Sequence, residues 1–381
     1  MSVADIEPGE GPHWPADTPT LFDLTARLWK VAAPVRALAV DGHALAVAFS
    51  LSDGTIALAR ASDPEPSEGR VRLAGDSGQR LLLPRTGSFA PPIIVSTGDS
   101  APKPLAPTET GFVTADAAGG LIRLSPRGET RPLAVNLDGR VVAIGADARS
   151  GAIAVAAERE VVVLTRNGQP TFRASHAGAR VLGLAPGGER VAVGGADGLT
   201  LFDIPSGESA HVGCPPPEAL EWSPYGDVVA LGHDTPGLTL VDVRAGTFHT
   251  VANYPRPVRS LAFGGHSQAL ATSGAFRAVA WSMAALPFGG DGQGAFLAGR
   301  AESSPVEAVA LHPRRPILAA GRADGSIALA EVGSYGELKL AGPSGEAVSA
   351  LAFFGDRDDL AIGFAGGSLA IASLPAIMFK C

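Results

Sequence analysis

The sequence predicts an all-β fold: a single β-propeller of eight four-stranded blades, with an N-terminal strand closing the last blade. Three observations predict it. An apolar phrase returns about every 40 residues, the spacing of a propeller blade. It reads VRSLAFGGHSQALATSG from Val258, VEAVALHPRRPILAAGRADGSIALAEV from Val306 and VSALAFFGDRDDLAIGFAGGSLAIASL from Val348. Within each phrase a Gly or Asp-Gly turn separates two β-rich runs, and such turns supply the positive φ of a tight hairpin. Helix signals are almost absent, because no segment sustains an i, i+3, i+4 apolar stripe with caps.

Taken in order, residues 1–20 are rich in Pro, Gly and acids and read as a flexible leader, with Trp14 either docking on the body or standing as a stray aromatic. Residues 21–381 form the repeat domain. The segment TARLWKV (25–31) precedes the first phrase and reads as an orphan strand. The phrases then begin at Val35, Pro102, Val141, Val181, Pro217, Val258, Val306 and Val348. The long first interval implies an insertion within about 61–100, a Pro-rich, loop-like stretch. A second insertion is expected at about 286–296, around LPFGGDGQGAF. Each unit should hold strands a, b and c and a more variable d. The last unit stops at its third strand, SLAIASL. The orphan strand then supplies the missing one and removes two sheet edges. Eight phrases give eight blades; one misread phrase would leave seven.

Bulk properties narrow the function. The chain has 381 residues, 46% hydrophobic and 18% charged, as a well-buried soluble protein does. A net charge of −8 disfavours nonspecific binding to nucleic acid or an anionic membrane. Cys214 and Cys381 lack C-x-x-C partners, which fits a reducing compartment. There is no signal-peptide pattern and no long uncharged apolar run. A cytoplasmic location is the expectation. The preference for Arg and Ala suggests a GC-rich bacterial genome.

SHAGARVLGLAPGGERVAVGGADGLTLFD (175–203) resembles a WD40 repeat. His176 falls where that family's Gly-His histidine lies, Asp197 falls on its turn aspartate, and Phe202-Asp203 stands for Trp-Asp. Val241-Asp242, Trp281-Ser282 and Ala330-Glu331 close other units. No unit carries the full His, Ser/Thr, Asp and Trp set. The resemblance implies a protein-interaction platform, usually without catalysis.

The candidate site is the strand-a end of the channel. The residue just before or after the first apolar position is Arg36, Lys103, Arg140, Arg180 or Arg259 in five units. Side chains alternate along a strand, so these five cations are expected on one face, interrupted by Glu218 and Glu307. Such a crescent would attract an unknown protein partner through an acidic segment. Phe276, Arg277 and Arg322, near b–c turns, are expected on the same surface as hot-spot types. The turn aspartates Asp53, Asp197 and Asp324 are expected to cap their own turns. Trp222 and Trp281 should fill space between neighbouring sheets.

Other motifs point away from chemistry. FGGDGQG (288–294) lacks the Gly-Lys-Ser/Thr ending and the helix of a phosphate loop. His211 and Cys214 have no second ligand pair for zinc. There is no G-x-S-x-G elbow. The acids of DRDD (356–359) read as a solvated turn. The expectation is a noncatalytic scaffold with no cofactor and no metal. Two alternatives stay open: a central-channel enzyme or small-ligand binder of the metal-dependent lactonase or quinone-dependent dehydrogenase type, and a structural subunit using the two insertions.

Overall fold

The computed structural model describes residues 19–74, 79–98, 100–286, 295–355 and 358–376. Among them are eight four-stranded antiparallel sheets, each built from strands adjacent in sequence apart from the closure and blade 1, where a two-stranded hairpin is inserted between strands c and d. The innermost strands a are Val35–Val40, Leu105–Pro107, Val141–Ala146, Ala179–Leu184, Pro217–Trp222, Leu261–Gly264, Val306–Leu311 and Val348–Phe354. Each touches the next, and the eighth touches the first, so the blades form a closed ring.

The closure is the one expected. Ala26–Lys30 pairs antiparallel with Ser368–Leu374, with Ala26 opposite Ala372 and Lys30 opposite Ser368. It is the outer strand of blade 8. Lys30 also binds Glu346 and the Gly366 carbonyl. A short helix, Leu21–Thr25, leads into it through a Thr20/Asp23 capping box. Thr20 thus belongs to the folded body; most of the predicted leader, residues 1–18, lies outside the described residues.

The recurring phrase has a packing reason. In four blades a glycine near the end of strand b receives the first residue of the next blade. A Cβ at Gly194 would lie 2.2 Å from Pro217, at Gly321 2.4 Å from Val348 and at Gly363 2.5 Å from Val35. At Gly232 it would lie 1.9 Å from the Val258 carbonyl oxygen. At these four seams the residue that starts the phrase is a knob, and the glycine of the preceding blade is its hole. Val35 in Gly363 joins blade 1 to blade 8 by the same contact. Between blades, Trp222 lies in the blade 4–5 core and donates from Nε1 to the Gly183 carbonyl at 2.9 Å. Trp281 sits in the blade 5–6 core and donates to the Tyr254 hydroxyl at 2.9 Å.

The insertion of 61–100 falls between strands c (Thr55–Arg60) and d (Ile93–Ser96) of blade 1. It is more ordered than its Pro-rich composition predicts, because buried arginines hold it. It carries a hairpin, Val71–Ala74 with Gln79–Leu82. Arg85 binds both oxygens of Asp63, at 2.7 and 2.6 Å. Arg27, on the closing strand, donates to the Ala61 and Ser62 carbonyls. Trp29 donates to the Ala90 carbonyl and stacks edge-on against Phe89. The insertion therefore clamps the strand that seals the ring. Most of the second insertion, 287–294, lies outside the described residues; Ala295–Ala298 already forms strand d of blade 6.

One sequence expectation is corrected. Asp358 and Asp359 of the DRDD run are buried in strand b of blade 8, not in a solvated turn. Asp358 is compensated from blade 7, where Arg315 contacts both its oxygens and His312 Nε2 lies 2.9 Å away. Those partners lie more than 40 residues upstream, so the local sequence did not reveal them.

Candidate functional site: the channel and its mouth

The eight strands a enclose an axial cavity of about 530 Å³, lined by residues from every blade. Six of these strands carry a β-bulge at the same place, where strand a starts. A bulge leaves one residue unpaired and re-aims its side chain. The extra residues are Arg36, Val142, Arg180, Glu218, Glu307 and Ser349. Arg259 follows Val258 in the same place of the blade 6 phrase.

The bulge breaks the alternation on which the five-cation crescent rested. Arg36, Arg180 and Arg259 do line the cavity. Arg140 precedes its strand, is exposed beside Gly119 and does not line the cavity. Lys103 is buried, with Nζ 3.3 Å from the Asp116 carbonyl. Of the three mouth arginines, Arg180 pairs with Glu218 at 2.7 Å. Glu307 lies 3.8 Å from Arg256. Arg36 and Arg259 make no ion pair among the described residues. Both are exposed and line a smaller recess with Glu307 and Ser349. The Ser349 hydroxyl is buried with no hydrogen-bond partner among the described residues.

The remaining sequence candidates scatter. Arg322 is buried against Glu302 and Glu337, at 3.9 and 3.8 Å. Arg277 stacks over the Tyr335 ring at 5.4 Å, and Phe276 beside it is exposed. Asp53 and Asp324 cap their own turns, accepting from the N–H and hydroxyl of Thr55 and of Ser326. Asp197 sits in the two-residue turn between strands Arg190–Gly195 and Gly198–Asp203. The His176 ring packs edge-on to Phe202, and burial followed by the nearby His211 pulls its pKa below the usual histidine value. Cys214 is buried in the blade 4–5 core, while the His211 ring faces Thr200. Among the described residues, no three His, Cys, Asp or Glu side chains group to hold a metal ion.

The channel also holds a residue that the motif search missed. One step past the bulge, the eight blades carry Leu38, Leu105, Ile144, Leu182, Leu220, Leu261, Val309 and Leu351, an aliphatic ring. The next position is Ala39, Ala106, Gly145, Gly183, Glu221, Ala262, Ala310 and Ala352. Seven blades keep it small because the neighbouring blade packs close; a Cβ at Gly183 would lie 2.4 Å from Leu220. Blade 5 alone places a carboxylate there. Glu221 lines both the 530 Å³ cavity and the adjoining space toward the opposite mouth. Its side chain is exposed to the water of the channel. The channel walls around it partly displace bulk water and push its carboxyl up to about 7. It has no hydrogen bond or ion pair among the described residues. Aligning the eight phrases by their aliphatic position would have exposed it.

No protein-family model matches the chain, and no curated protein matches it. The fold has a solved counterpart. The chain is similar to the crystal structure of the computationally designed Ika8 protein, with a TM-score of 0.66 and 17% identity, over 91% of this chain and 98% of that one. At that identity the likeness concerns the fold alone.

Proposed function

We propose that the protein is a noncatalytic cytoplasmic scaffold of WD40-like character that takes an acidic segment of a partner protein at the strand-a mouth of its channel. The observation that carries this reading is the pair of exposed arginines, Arg36 and Arg259, left without a carboxylate partner among the described residues and sharing a recess with an unsatisfied serine hydroxyl. A guanidinium presents a planar fork suited to carboxylates, and an unpaired one loses less on binding than one already engaged. The other mouth charges are locally balanced, so the overall net charge of −8 does not cancel this recess.

The test is fluorescence anisotropy with a labelled octapeptide of alternating Glu and Gly at low ionic strength. The double variant Arg36→Glu/Arg259→Glu should bind at least tenfold more weakly, and salt should weaken the wild type. Arg140→Glu should change affinity little. Equal affinity in the double variant would overturn the reading.

A further inference from the structure

We propose that the channel is a binding site for a small organic monocation, a protonated amine on an apolar body, with Glu221 as its counter-ion and the aliphatic ring as its wall. The inference is separate from partner docking at the mouth and stands if that docking fails. Three features carry it.

The first is placement. Glu221 occupies the one position that is Ala or Gly in every other blade, so no structural rule of the repeat calls for a carboxylate there. The second is isolation. The Glu221 carboxylate faces the channel water, inside walls that leave it less well hydrated than in bulk, and has no ion-pair partner among the described residues; a cation bound in the cavity would supply one. The mouth arginines do not supply it: Arg180 is engaged with Glu218, and neither Arg36 nor Arg259 bonds Glu221. The third is the wall. Leu220 and its seven aliphatic counterparts line the same cavity, whose 530 Å³ falls in the usual size range of small-ligand sites.

The cation is organic rather than a metal ion. Calcium and magnesium take six or more oxygen ligands, and among the described residues Glu221 belongs to no group of three His, Cys, Asp or Glu side chains that could hold one. A primary ammonium needs only one carboxylate and brings its own apolar surface.

The charged groups facing the channel are Arg36 from blade 1, Asp147 from blade 3, Arg180 from blade 4, Glu218 from blade 5 itself and Arg259 from blade 6. Asp147 is partly desolvated, but hydrogen bonds from Ser150, Arg149 and Gly187 outweigh that and keep its carboxyl below its usual range. Glu221, raised to about 7, changes charge between pH 5.5 and 8, and cation binding should follow it.

The probe is n-hexylammonium, titrated by calorimetry and by NMR of the channel leucine methyls, with neutral n-hexanol as the control. At pH 8 hexylammonium should bind the wild type and shift the methyls of Leu182, Leu220 and Leu261. Glu221→Gln and Glu221→Ala should each weaken it at least tenfold while leaving hexanol binding unchanged, and lowering the pH to 5.5 should weaken it comparably. Alanine is already the residue at this position in five blades, so the variant should fold, which thermal melting checks. Equal affinity in the variants, or no binding to the wild type at pH 8, would overturn the proposal.

Discussion

Two carboxylates in this propeller meet opposite fates. Asp63, in the blade 1 insertion, has a side chain only 1% exposed. Burial pushes its carboxyl up, but the Arg85 hydrogen bond, the Glu65 N–H and the Arg85 and Arg27 charges outweigh it and hold it below the usual aspartate value. Glu221, on the axis and exposed to channel water, has no such partner, and desolvation by the surrounding channel walls alone carries it to about 7. Burial acts in the same direction on both; the partner decides the outcome. Asp63 is a charge built into the architecture, tying the insertion to the ring closure. Glu221 is a charge the architecture leaves open.

The largest effect that would sharpen this contrast is at the clamp. Arg85→Ala leaves Asp63 buried without its ion-pair partner, with only the Glu65 N–H and the Arg27 charge to compensate it, and should cost about 3 kcal/mol in chemical denaturation at pH 7. The sign with pH follows from the depressed carboxyl. Its stabilisation is whole above the unfolded value of 3.8 and fades as pH falls through the lower folded value. The wild type should therefore lose stability below about pH 4, and Arg85→Ala should show less of that loss. A variant as stable as the wild type at pH 7 would break the contrast.

A smaller effect is expected on the axis. Glu221 in the folded chain is raised from 4.5 to about 7, so its penalty is absent below 4.5, grows between the two values and is complete above 7. Glu221→Gln should therefore stabilise the protein by about 1 kcal/mol at pH 8, a figure discounted for the channel water, and by almost nothing at pH 5. A destabilised variant at pH 8 would mean that Glu221 is a structural charge like Asp63.

The architecture was legible because the same packing event recurs. Val35, Pro217, Val258 and Val348 each start a phrase since each fills the space above a glycine of the preceding blade. That periodic demand prints itself on the sequence, and so does the strand at 25–31 that the last blade lacks. The mouth was only partly legible. Alternation placed Arg140 beside Arg36, but the bulge after Val35 and its counterparts shifts the register by one residue; Lys103, at the position matching Arg36, is instead buried in blade 2. No local residue pattern announces the shift. Charges compensated over long sequence distances were illegible for a different reason: Asp63 needs Arg85 and Arg27, and Asp358 needs Arg315 and His312. Glu221 lay in plain view as the one departure from a small-residue position, and it emerges only when that position is read across all eight blades.

The most direct test of the contrast between a compensated and an open carboxylate is a ¹³C NMR titration of the Glu221 side-chain carboxyl in the intact protein, assigned by its loss in Glu221→Gln. A midpoint near 7 is the predicted result. A midpoint near 4.5, the value of a freely solvated glutamate, would contradict it.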